Sequence, residues 1–174
     1  MNEVPGGDSF SLRSVTDADK DFLFELYQSS RGDDLRGLGW DEDRISEFLS
    51  MQHEAQQVFY QTDYQQAVDE IILIEGEPAG RLIVERRELE IRCVDLALLP
   101  GHRRAGVGTF LIQRLQEEAR RANKPLRLQI IRFNRAVTLL ERLGFVRTSE
   151  TGTHFQMEWR PPASVRSPTV REGD

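Results

Sequence analysis

The sequence predicts an α/β (α+β) domain in which a mixed, mostly antiparallel central sheet carries helices on both faces. Two observations predict it. Short alternating or continuous apolar runs bounded by turn residues recur along the chain, at Phe10–Val15, Ile71–Ile74, Arg81–Val84, Leu89–Leu98 and Leu126–Ile131. Between them, apolar residues fall at helical spacing, giving the order β-α-α-β-β-β-α-β-α-β-β.

Met1–Ser9 is polar and glycine-rich and reads as a loose leader. Phe10–Val15 alternates as a first strand, and Thr16 or Asp17 is the N-cap of a helix bearing Phe22, Leu23, Leu26 and Tyr27. Gly32, Gly37 and Gly39 interrupt that pattern and predict a flexible loop around Arg31–Trp40. Asp41 opens a second helix through Ile45, Phe48, Leu49, Met51 and Val58. Gln61–Ala67 is polar and fits either state. Glu75-Gly76-Glu77-Pro78 joins the next two strands as a hairpin, and a turn at Arg87–Glu88 leads into Leu89–Leu98, giving an antiparallel meander.

A helix follows Gly106, with Val107, Phe110, Leu111, Leu115 and Ala119 on one face. Lys124-Pro125 ends it, and Leu126–Ile131 is the next strand. Asn134–Leu143 is a short helix closed by Gly144, and Phe145–Thr148 with His154–Trp159 forms a last hairpin. The expected organisation is one domain over 1–160 and a disordered tail, 161–174, rich in proline and poor in apolar residues.

The chain has 174 residues, 39% of them hydrophobic, enough for one sizeable core. With 23 basic and 29 acidic residues the net charge is −6, which argues against nucleic acid as a partner. No apolar run reaches membrane-spanning length and no signal-peptide core is visible. Cys93, the single cysteine, lies in an apolar strand and reads as a buried, inert thiol. These features fit a cytoplasmic protein with no membrane contact.

The stretch from Val94 to Ile112 carries the most chemistry. An apolar strand ends at Pro100, and a basic loop holding Arg103, Arg104, Ala105, Gly106, Val107 and Gly108 leads into the long helix. Backbone N–H groups at a helix N-terminus, beside glycines that admit close approach, form a cradle for a pyrophosphate. No Lys-Ser or Lys-Thr closes the loop as in a P-loop, and the Gly-x-Gly-x-x-Gly order is absent.

Arg103-x-x-Gly106-x-Gly108 resembles motif A of the GNAT superfamily of N-acyltransferases, and the overall pattern is similar to its small, stand-alone bacterial members. Asn134-Arg-Ala-Val-Thr-Leu-Leu-Glu-Arg-Leu-Gly-Phe145 resembles that superfamily's downstream Asn, short helix and Leu-Gly-Phe. The two segments cover about residues 69–159. The resemblance implies acetyl-CoA as co-substrate, no metal, and a sheet split between the fourth and fifth strands, where the pantetheine arm lies. It implies cofactor contacts at Leu96, Leu98, Arg103, Arg104, Ala105, Gly106, Val107, Gly108 and Asn134. It implies carbonyl polarisation by the N–H of Leu98 or a neighbour, and direct attack by the amine with no acyl-enzyme.

Asn134 is equally readable as a helix N-cap. Asp95, in an apolar strand, is either a general base raised in pKa by burial or a structural carboxylate paired with Arg92, Arg132 or backbone N–H groups. Glu90, expected to be more exposed, and His154 are further base candidates. Where many relatives carry a tyrosine acid this chain has Leu140, and Tyr60 and Tyr64 are the tyrosines left to reach the site. By the family layout, the loop with Arg31, Asp33, Asp34, Trp40, Asp41 and Glu42 shapes the acceptor site. Its acids and Trp40 suit a cationic amine, and Arg31 suits a carboxylate; the same acids read equally as helix caps on a solvated loop. The expected function is acetyl transfer to a primary amine of a small molecule or a protein, with a homodimer as a possible assembly. The alternative is a catalytically reduced acyl-CoA-binding sensor, favoured by Leu140.

Overall fold

The protein's structure is a computed structural model, described for residues 2–3 and 9–163; at residues 2–3, 32–34 and 36 the description is of backbone only. The described residues form one eight-stranded sheet in the order β1-β2-β3-β4-β5-β6-β8-β7. The strands are β1 (Asn2–Glu3), β2 (Ser9–Ser14), β3 (Val68–Ile74), β4 (Glu77–Arg86), β5 (Ile91–Leu98), β6 (Leu126–Ile131), β7 (Val146–Glu150) and β8 (His154–Trp159). The helices are α1 (Lys20–Arg36), α2 (Glu42–Asp63), α3 (Val107–Ala122) and α4 (Ala136–Arg142). All neighbouring strands are antiparallel except β5 and β6. No helix among the described residues is long and apolar enough to cross a membrane.

The meander follows from local chemistry. Glu75 (φ 51°) and Gly76 (φ 82°) both take positive φ, as a two-residue hairpin turn between β3 and β4 requires. Side chains alternate across the sheet. Ile72, Leu82, Val84 and Cys93 join the main core with Val107, Leu111, Ile112, Leu115 and Ala119 of α3. Ile71 and Ile83 are buried but lie outside that cluster, as do Leu23 and Leu26 of α1 and Ile45 and Leu49 of α2. Cys93 is buried in the main core, and burial pushes its thiol up to about 12.

Three expectations need correction. Asn2–Glu3, expected in a loose leader, pairs with β2 at Phe10 and Ser9. The loop expected around Arg31–Trp40 is helix as far as Arg36, because one glycine costs a helix only about 1 kcal/mol, less than tertiary packing supplies. Glu90, expected to be more exposed, is 6% exposed and bonds Arg92 at 3.1 Å and Arg127 at 2.6 Å. The expected tail falls, from residue 164 on, outside the described residues.

Candidate active site

The parallel pair is short. It runs Ile91↔Leu126, Arg92↔Arg127, Cys93↔Leu128 and stops, while β5 continues to Leu98 and β6 to Ile131. The two strands part towards their carboxyl ends. A bulge sits where they part: Val84 faces Cys93 and Ile83 faces Asp95, so Val94 has no opposite residue on β4.

The ladder sets which backbone groups face the gap. Leu99 N–H donates to Ala79 O at 2.8 Å, so residue 99 turns its amide towards β4. Alternation then turns both polar groups of Leu98 the other way, to the side where no strand is paired. The Arg103 Nε donates to Leu98 O at 2.8 Å on that side, and the Leu98 N–H faces the gap. Arg103 therefore closes on the strand end, with its Nη2 also 3.4 Å from Ser29 Oγ of α1, rather than standing out as a charge beside the loop.

The Arg103–Gly108 loop leads into α3 and leaves its first N–H groups uncapped. Arg104 (φ 62°) and Gly106 (φ 82°) are left-handed, and Gly106 precedes the first residue of α3. The N–H groups of Val107, Gly108 and Thr109 have no acceptor within the helix, and no side chain caps them. Gly108, grouped with Gly106 from sequence, differs from it. It is helical, and a Cβ there would meet only Leu98 Cδ1 at 3.9 Å, an ordinary contact. Asn134 acts as a cap: its Oδ1 accepts from Ala136 N–H at 2.9 Å at the start of α4.

On the helical side of β4 and β5 lies a cleft lined by Tyr27, Arg31, His53, Arg81, Asp95 and Ala97, among others. Burial pushes the Asp95 carboxyl above the ordinary carboxylate range. The Arg81 charge and a hydrogen bond from Tyr60 act in the opposite direction, and the Asp69 charge adds to the rise. Asp95 thus meets neither Arg92, which bonds Glu90, nor Arg132, which lies over the Phe155 ring. Tyr60, from α2, has its hydroxyl held protonated by burial and by the Asp95 charge.

Sequence reasoning missed Arg81. It is 5% exposed, forks onto Asp69 (Nε to Oδ1 2.8 Å, Nη2 to Oδ2 2.6 Å), and donates to Gln57 Oε1 at 2.9 Å. Its partners lie 12 and 24 residues away, and an arginine in an apolar strand is the one signal that pointed here.

Other expected residues lie elsewhere. Trp40 packs edge-on against Phe48 and under Arg44, and Asp41 caps α2 by accepting from Arg44 N–H at 2.8 Å. The side chains of Asp33 and Asp34 lie outside the described residues. Glu90 sits at the opposite end of β5 from the gap. His154 Nδ1 is 2.7 Å from Thr153 Oγ1, its own neighbour. Tyr64 packs on Phe59.

Leu140 is 4% exposed and part of the main core. A tyrosine there overfills a closed space. Leu140→Tyr is expected to lose about 1–3 kcal/mol of stability, with less than a tenfold change in any acetylation rate. Thermal melts and initial rates check both; a variant that melts like the parent and turns over much faster would overturn it.

Residues 67–147 match the family model described as an acetyltransferase (GNAT) domain. A search of curated proteins by sequence finds no match. Among solved structures, the PaiA N-acetyltransferase of Thermoplasma acidophilum, in complex with coenzyme A, aligns with a TM-score of 0.66 at 16% identity, over 87% of this chain and 99% of that one. The ribosomal-protein-S18-alanine N-acetyltransferase of Escherichia coli aligns at 0.60 and 17%, over 91% and 99%. A histone acetyltransferase HPA2-related protein of Corynebacterium glutamicum aligns at 0.60 and 22%, over 93% and 99%. At these identities the three structures speak for the fold, and the family model covers β3 through the first two residues of β7. Residues 67–147 thus match a GNAT acetyltransferase domain, and the chain as a whole has the fold of these acetyltransferases.

Proposed function

We propose that this protein transfers an acetyl group from acetyl-CoA to a primary amine by direct attack. The observation that carries the reading is the splayed β5–β6 end, with the Leu98 N–H turned into the gap, the α3 cradle beside it and Asp95 in the adjoining cleft. The cradle suits the pyrophosphate of coenzyme A: a left-handed Gly106, uncapped helix N–H groups and the positive end of a 16-residue helix all favour an anion. Leu96, Leu98 and the segment Arg103–Gly108 would hold the cofactor, with Arg103 acting through its grip on Leu98 O and Asn134 through its side-chain amide. When bound, acetyl-CoA supplies the acyl group as an activated thioester.

The chain's own groups supply the rest. Asp95 accepts the proton that the attacking amine must shed. The Leu98 N–H is a donor available to an acyl oxygen lodged in the gap. Tyr60, its hydroxyl held protonated beside Asp95, is the donor that would orient that carboxylate. The fold leaves the acceptor open to small molecules and proteins alike, and residues 1–160 act as one domain in this reading.

The test is cofactor binding with a graded pair of glycine variants. Gly106→Val forces a β-branched residue into left-handed backbone and is expected to weaken coenzyme A binding more than tenfold by calorimetry. Gly108→Ala has room for its methyl and is expected to bind within a few-fold of the parent. Equal binding by the parent and a folded Gly106→Val protein would remove the cradle assignment. Tight acetyl-CoA binding with no thiol release on any amine would favour the sensor reading instead.

A further inference from the structure

The cleft holds a chain of hydrogen bonds whose direction is dictated at one end. A guanidinium only donates, so Gln57 Oε1 is the acceptor facing Arg81 Nη2 at 2.9 Å. The Gln57 amide nitrogen then faces His53 Nε2 at 3.1 Å, and because an amide nitrogen only donates, His53 Nε2 accepts. The ring proton of neutral His53 is left on Nδ1. Burial and the Arg81 charge hold the imidazole below its ordinary pKa, with Glu54 acting weakly against them. His53 is a poor base here, because its one lone pair is already used. It is a neutral N–H donor. No acceptor for Nδ1 is found among the described residues, and no side-chain nitrogen or oxygen there is buried without a partner, so this N–H is open to solvent. The ring lines the cleft.

The charges of the cleft are unlike. Arg81 is matched by the bidentate Asp69. Arg31 sits over the Tyr27 ring at 5.4 Å, and no carboxylate among the described residues pairs with it. Asp95 supplies the opposite sign in the same cleft. A guanidinium and a neutral N–H donor both seek oxygen acceptors, and a guanidinium favours a carboxylate.

We propose that the acceptor amine carries a carboxylate, as in an amino acid, and that Arg31 with the Nδ1–H of His53 binds that carboxylate while the amine faces Asp95. This rests on the acetyl-transfer reading and narrows its substrate class. Arg31 and His53 come from α1 and α2, the helices outside or at the margin of the segment that matches the family model, so the selectivity belongs to this chain's own N-terminal third.

The experiment uses the full chain, acetyl-CoA and matched acceptors: amino acids, each with its carboxamide and its decarboxylated amine. Thiol release gives kcat and KM. The acid is expected to exceed its carboxamide at least tenfold in kcat/KM, mainly through KM. In Arg31→Gln the acid-to-amide ratio is expected to fall to about one, a comparison that cancels the differing reactivity of the amines. Equal kcat/KM for acid and amide in the parent, or an unchanged ratio in Arg31→Gln, would overturn the proposal while leaving acetyl transfer standing.

If no amine is turned over, acetyl transfer itself fails. Calorimetry of N-acetylamino acids against their amides, titrated into the protein with coenzyme A, then decides the subsite alone: tighter binding of the acid, lost in Arg31→Gln, supports it, and equal binding rejects it. Nitrogen-15 NMR of the ring gives a separate readout. A neutral Nδ1–H tautomer supports the donor role, and a doubly protonated or Nε2–H ring removes it.

Discussion

Asp95→Asn is expected to lower kcat/KM for acetyl transfer by roughly 10²–10⁴-fold, with coenzyme A affinity unchanged. The side chain keeps its shape and loses its basicity, so the loss isolates proton acceptance. The pH dependence follows from the direction of the shift. Burial raises the Asp95 pKa above the ordinary carboxylate range, against the Arg81 charge and the Tyr60 hydrogen bond. A base works when deprotonated, so the parent's kcat/KM is expected to rise with pH through that raised value. This limb should vanish in the variant, leaving only the ionisation of the amine itself.

Stability moves in the other direction. A carboxyl whose folded pKa is raised binds its proton more tightly when folded. Its contribution is fully present below the unfolded carboxylate pKa and is lost as pH rises through the folded one. Ionised Asp95 therefore weighs against the fold, and above its raised pKa Asp95→Asn is expected to melt at the same temperature as the parent or higher. A carboxylate kept for structure would show the reverse: a lower melting temperature and little specific kinetic loss. Full activity in a stable Asp95→Asn protein would remove this residue from the site.

That contrast also explains what the sequence reveals. Asp95 is conspicuous because an acid in an apolar strand must be satisfied. The groups that tune it are not conspicuous. Tyr60 lies on α2, Asp69 on β3 and Arg81 on β4, and only the packing of helix on sheet brings them together. Local signals behave differently. The Glu75-Gly76 turn, the α3 periodicity and the Arg103–Gly108 loop are written in neighbouring residues, and each forms as its pattern implies. Where a tertiary term overrides a local one, the local reading fails. Gly32 reads as a break, yet α1 runs through it to Arg36. Glu90 reads as exposed, yet two arginines from β5 and β6 hold it inside. Gly106 and Gly108 look equivalent in the motif, and only the backbone angles separate them.

Gly80 shows how a position without chemistry sets the geometry of one that has it. In sequence it is a glycine close behind a hairpin turn. In the fold it faces Leu98 across the β4–β5 ladder, and a Cβ there would lie 2.2 Å from Ala97 O, 2.8 Å from Leu98 Cδ2 and 3.2 Å from Ile72 Cδ1. The first contact is with backbone and cannot be relieved by a rotamer change. Gly80→Ala must therefore push the end of β5 away from β4, moving Leu98, which carries both the gap-facing N–H and the carbonyl gripped by Arg103. The expected cost is about 1–3 kcal/mol of stability, as for an overpacked core. A displacement on the order of 1 Å at Leu98 is expected to lower acetylation roughly 10²-fold. Coenzyme A binding at the α3 cradle is expected to suffer less, because the loop and helix start that form it lie outside the β4–β5 ladder. Gly152→Ala is the control: its Cβ meets nothing within 4 Å and its φ is not positive, so it should match the parent in melting and rate. A Gly80→Ala protein indistinguishable from that control would show that β5 yields without moving Leu98, and would take the Leu98 N–H out of the proposed mechanism.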